Sequence, residues 1–146
     1  MATTTHVYSP QTDTILKKTT VVTESNSDQV AYQTLHLILA LAPIIVGIDK
    51  FFNVATYWPQ YLAPFFTDMI EVTPTTFMRG IGVVEIIVGF GVMLKPKFFS
   101  FVLAAWMVGI ILNLFMLGNY YDIALRDLGL GCAAFALGML AQERDF

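Results

Sequence analysis

The sequence is poor in cysteine, in histidine and in charge. With 1 Cys in 146 residues it has no internal disulfide and no cysteine-rich metal site. Of its 2 His, His6 lies in a polar head and only His36 lies in an apolar stretch, so the apolar part holds no pair for bis-His haem ligation. Charged residues are 13% of the chain, against roughly 25% in a soluble domain. Lys and Arg number 8 against 11 Asp and Glu, which leaves no basic stripe to track a phosphate backbone and excludes nucleic acid as a partner. What remains is apolar: 56% of residues are hydrophobic and the mean hydropathy is +0.66. Water cannot wet most of such a chain. A soluble enzyme is therefore not expected, and the length allows one bundle without a second domain.

Composition divides the chain in two. Residues 1–29 are rich in Thr, Ser, Asn and Gln and read as a polar cytoplasmic tail. No apolar run follows a basic start, so they do not form a secretory signal. They lack a core of their own, and residues 5–29 are expected to lie along another subunit. Residues 30–146 read as a four-span transmembrane bundle, because a span needs about 20 mostly apolar residues. The expected spans are 33–52, 74–94, 98–120 and 122–141. Pro74 marks one start, Lys95-Pro96-Lys97 one turn, and Gly118 to Asp122 another, with Asp122 as N-cap. Pro43 is expected to kink the first span by freeing the carbonyl of Leu39.

Lys17, Lys18, Lys95, Lys97 and Arg144 fall on one side of this arrangement, while the connections 53–73 and 118–122 hold no Lys or Arg. The positive-inside rule then puts both termini in the cytoplasm. The aromatic run from Tyr57 to Phe66 suits the headgroup level and is read as an interfacial outer loop, with a lid over the bundle as the alternative.

Ionisable residues within a membrane call for a partner or a purpose. Alternating span direction puts Asp49, Lys50, Arg79, Glu85, Asn113, Arg126 and Asp127 in one half of the bundle. At about 100° per residue, Arg79, Gly82, Glu85 and Gly89 share a face, and so do His36, Ala40, Pro43, Gly47 and Lys50. Small residues beside each polar group imply helix contact, so the polar groups are expected to face inward. Glu85, the deepest acid, is expected to bond Lys50 or Arg126. Two readings stay open. One is an ion-pair network that fixes register; the other is an outer-leaflet pocket for a quinone headgroup or small polar molecule. A proton path is disfavoured, because no polar residue on the second span continues past Glu85. His36 is read as a satisfied helix residue rather than a haem or chlorophyll ligand, and Cys132 as packing.

Residues 47–53, Gly-Ile-Asp-Lys-Phe-Phe-Asn, and residues 82–89, Gly-Val-Val-Glu-Ile-Ile-Val-Gly, resemble the DoxX-like membrane proteins. The resemblance runs from about Tyr32 to Gln142. It implies a four-helix bundle in a prokaryotic inner membrane, acting beside soluble or peripheral partners, in some relatives within thiosulfate- or quinone-linked oxidoreductase systems. The matching residues are Lys50, Glu85 and their glycines, and the pattern assigns them no catalytic role. The expected function is a non-catalytic integral subunit of an electron-transfer or respiratory complex, without a catalytic centre, metal or cofactor of its own. The alternative is a membrane subunit of a quinone-linked oxidoreductase that binds quinone in the outer cluster. Expected partners are membrane lipid and other integral or peripheral subunits.

Overall fold

A computed structural model describes residues 10–144, and the side chains of residues 11, 13–15 and 26–144. Every regular element among them is helical: α1 (Pro10–Phe52), a 3₁₀ turn (Trp58–Tyr61), α2 (Pro64–Ile70), α3 (Pro74–Leu94), α4 (Pro96–Leu117) and α5 (Tyr121–Gln142). Four stretches, Asn26–Phe52 of α1 and the whole of α3, α4 and α5, are long and apolar enough to cross a membrane. The chain is an all-α bundle of four such helices. The end carrying Lys50 is called outer below, and the end at the α3–α4 turn inner.

Local chemistry sets the boundaries. Proline begins α2, α3 and α4, where its missing N–H costs no bond. Thr73 caps α3 by accepting the Thr76 N–H at 3.3 Å. Gly118, at φ +76°, ends α4 by turning its N–H back to the carbonyls of Leu114 and Phe115, both at 3.1 Å. The cap of α5 is Tyr120 at φ 63°, so Asp122, expected as the cap, lies inside the first turn, two positions after it.

The polar head differs most from expectation. Composition argues for disorder over 1–29, yet the helix runs unbroken from Pro10. No Gly or Pro lies between Pro10 and Pro43 to end it, so helix started in the apolar span can propagate backward. Residues 5–9 of the expected partner-binding segment, and His6 with them, lie outside the described residues, as do the side chains of Lys17, Lys18 and Glu24. Pro43 is buried within α1, which continues through it.

The helices pack as two close pairs, α1 with α3 and α4 with α5, and the pairs meet mainly along α3–α4 and α1–α5. Leu39, Ala40, Val88, Val92, Leu103 and Leu137 fill the shared core. At the inner end three helices are clasped. Arg144 donates to the Asp28 carbonyl at 3.0 Å and covers the Tyr32 ring at 4.3 Å. His36 donates from Nε2 to the Val92 carbonyl at 2.8 Å, which ties α1 to the end of α3.

Candidate functional site

The outer half is organised around a crossing of α1 and α3 that only glycine permits. A Cβ on Gly47 would stand 2.6 Å from the Gly82 carbonyl oxygen, and one on Gly82 would stand 2.6 Å from the Gly47 carbonyl oxygen. Lys50 follows Gly47 by one turn and Glu85 follows Gly82 by one turn. Each charged residue therefore packs over the glycine of the other helix: the Gly82 site faces the Lys50 Cβ and the Gly47 site the Glu85 Cβ, both at 3.2 Å. Close backbones bring the two stems together, and Lys50 Nζ donates to Glu85 Oε2 at 2.6 Å. Both side chains are buried, at 5% and 4% exposure, so water does not screen the pair.

A roof closes over this pair. The Trp58 ring lies 4.0 Å from Lys50 Nζ, in cation–π contact. Its indole N–H donates to Asp49 Oδ2 at 2.6 Å. Asp49 also accepts the backbone N–H groups of Val54 and Ala55, at 3.0 and 3.1 Å, which completes the end of α1. Asn53, at φ 54°, turns the chain and accepts the Trp58 N–H at 3.2 Å. From α4, Asn113 clamps the other flank: its Oδ1 accepts from the Ala63 N–H at 2.9 Å and its Nδ2 donates to the Tyr61 carbonyl at 2.6 Å. Tyr61 meets Tyr120 edge-on with centroids 4.8 Å apart.

The aromatic outer loop thus has two parts. Pro59, Leu62 and Ala63 are buried, and the segment is seated on the bundle as a lid. The following α2 has no buried residue and leaves Phe65, Met69 and Ile70 exposed, as suits an interfacial helix.

The remaining cluster residues divide between interior and surface. Asp127 on α5 is buried and within electrostatic reach of both Lys50 and Glu85. Its nearest partner is the adjacent Arg126, whose Nη2 lies 2.9 Å from Asp127 Oδ1 while 62% of the Arg126 side chain stays exposed. Arg126 therefore does not reach Glu85. Of the two expected partners, Lys50 is the one bonded to it.

Arg79 and Arg126 correct the expectation that the whole cluster faces inward, because both are exposed. Arg79 lies about 60–120° around α3 from Gly82, Glu85 and Gly89. A long cation near a helix end can also extend its head toward the interface while its stem stays apolar. Among the described residues Arg79 forms no ion pair. Cys132 is likewise exposed on α5.

Two residues gain importance that the sequence reading did not give them. Trp58 is the roof, and Trp106 on α4 places a buried indole N–H near Glu85 but outside hydrogen-bond geometry. An Asp four residues before an Asn at a helix end, followed by Trp, was the available signal for the first. For the second the signal is helical register, which puts Trp106 on the same face of the third span as Gly109 and Asn113. Among the described residues no group of three His, Cys, Asp or Glu could hold a metal ion. His36 lies away from the cluster, with its Nε2 committed to a backbone carbonyl. No family model, curated protein or solved structure matches the chain.

Proposed function

We propose that this chain is a non-catalytic integral subunit of a larger membrane assembly, of the electron-transfer or respiratory kind that the DoxX-like resemblance implies. In this reading it lies in a prokaryotic inner membrane with both termini cytoplasmic. The observation that carries it is the mutual saturation of the outer cluster. Lys50 is bonded to Glu85 and covered by Trp58, and Asp49 accepts three N–H donors. A catalytic acid or base needs a proton within reach of a substrate, and these groups are turned toward one another. The network fixes the relation of α1 to α3 and holds the lid. Helix α1 supports a partner as well. It extends 16 residues before the span window that begins at Asn26, about 24 Å at 1.5 Å per residue. Continuity with the span lets this polar stretch be helical, and in this reading a neighbouring subunit lies along it.

The test compares the full chain with a deletion of residues 5–25, each tagged and expressed in its native host, on native gels with mass-spectrometric identification. The expected outcome is a defined high-mass complex with redox subunits for the full chain, and loss of that complex with an intact bundle for the deletion. Migration of the full chain alone would overturn the reading.

A second reading is favoured by Trp106. Its buried N–H lies near Glu85 but makes no hydrogen bond of good geometry among the described residues, and a quinone carbonyl at the outer cluster would supply a better acceptor. Trp106→Phe keeps the packing and removes the donor. A fall in quinone affinity without a change in stability would support this reading, and unchanged affinity would reject it.

A further inference from the structure

The surface at the α3–α4 turn differs from the rest of the apolar exterior. A groove of about 370 Å³ opens there, lined by Ile86, Ile87, Phe90, Gly91, Leu94, Lys95 and Phe99. Its volume falls within the roughly 300–1,000 Å³ of small-molecule sites. Apart from Lys95 at its mouth, its walls are apolar. From Lys95 to Ile86 it follows α3 for about 13 Å at 1.5 Å per residue. That is close to half of the roughly 30 Å hydrocarbon thickness, the depth of a single leaflet. The mouth is cationic: Lys95 lines it, Lys97 follows two residues later at the start of α4, both are exposed, and neither forms an ion pair among the described residues.

We propose that this groove is a binding site for one anionic phospholipid of the leaflet at the α3–α4 turn, with an acyl chain along Ile86, Ile87 and Phe90 and the phosphate at Lys95 and Lys97. The charge pattern selects this occupant. A zwitterionic lipid offsets its phosphate with its own ammonium and brings no net charge to the two cations. A partner helix would have to place acids at this depth beside a wholly apolar face. The site is separate from the Lys50–Glu85 cluster at the opposite end, so the inference goes beyond the proposed function and does not depend on it.

The full chain, purified in mild non-ionic detergent, is titrated with dioleoylphosphatidylglycerol or dioleoylphosphatidylcholine, and bound lipids are counted by native mass spectrometry. The first phosphatidylglycerol is expected to bind about tenfold or more tighter than the first phosphatidylcholine, the scale of basic residues meeting an anionic headgroup. Lys95→Gln/Lys97→Gln should abolish the preference. Ile87→Trp, which fills the groove and keeps both lysines, should remove the first binding step itself. Leu94→Trp at the mouth gives the same reading should Ile87→Trp fail to fold. Equal affinity for the two lipids in the unsubstituted protein would overturn the proposal. So would a preference that survives filling of the groove, because the attraction would then be diffuse.

Discussion

The two helix pairs solve the same problem by different means. In α1–α3 the backbones touch at Gly47 and Gly82, and the buried Lys50–Glu85 pair sits directly above the contact. In α4–α5 the backbones stand further apart and side chains fill the gap: the Phe101 ring occupies the notch over Gly138, and Met107 lies over Gly131. Leu103, Ala134 and Leu137 complete that interface without a charge. Lipid tails are as apolar as these side chains, so burial alone gives helices in a membrane little reason to associate. The second pair depends on shape and dispersion. The first adds a bond that lipid cannot replace, and a geometry with one register.

This contrast can be broken most severely at Glu85. Replacing it by Ala leaves the Lys50 ammonium buried without its hydrogen-bonded counter-ion. Loss of one partner of a buried pair costs about 3–5 kcal/mol. Unfolding by SDS titration in mixed micelles should show a loss of that order.

Glycine substitution sharpens the comparison. Gly82→Ala drives a methyl group into the Gly47 carbonyl, which is backbone and cannot rotate away. Overpacking costs roughly 1–3 kcal/mol, and here the upper end is expected. Gly138→Ala meets only the edge of the Phe101 ring, 2.8 Å away before adjustment, and a ring can tilt. Its loss should be smaller than that of Gly82→Ala in the same assay. Equal losses would remove the distinction between the two interfaces.

Asn113→Ala tests the link between the pairs. It removes two hydrogen bonds that hold the lid to α4. A typical bond contributes about 0.5–1.5 kcal/mol, so stability should fall by about 1–2 kcal/mol. The specific sign is faster hydrogen exchange over residues 57–66 with α3 unchanged. Arg79→Gln should do least, within about 0.5 kcal/mol, as expected of an exposed side chain outside any network.

How much of this was legible in the sequence follows from what periodicity carries. A period of 3.6 residues and the turn residues locate α3, α4 and α5 to within a few positions. They also place Gly82, Glu85 and Gly89 on one stripe, because an angle around a helix is a local property. The pairing of Glu85 with Lys50 was legible as one of two choices: depth limits the partners, and the chemistry requires opposite charge. The outward direction of Arg79 and Arg126 was not legible. An error of one side-chain width around the axis changes interior to surface, and a long flexible stem then decides. The lid was legible only as the alternative to an interfacial loop, for another reason. It is held by backbone N–H and C=O groups, which every residue carries, meeting Asp49, Asn53 and Asn113. The helical run from Pro10 was masked by polar composition, although the absence of Gly and Pro over that stretch allowed it.

The central claim is that Lys50 and Glu85 act as one unit that locks α1 to α3. A double-mutant cycle measures that coupling directly. Lys50→Met, Glu85→Leu and the combined variant keep volume and remove charge, and their unfolding free energies are compared in the same micelles. Each single variant should lose about 3–5 kcal/mol. The combined variant should recover most of the loss, giving a coupling of at least about 2 kcal/mol. Losses that add to within about 0.5 kcal/mol, the behaviour of independent sites, would contradict the account.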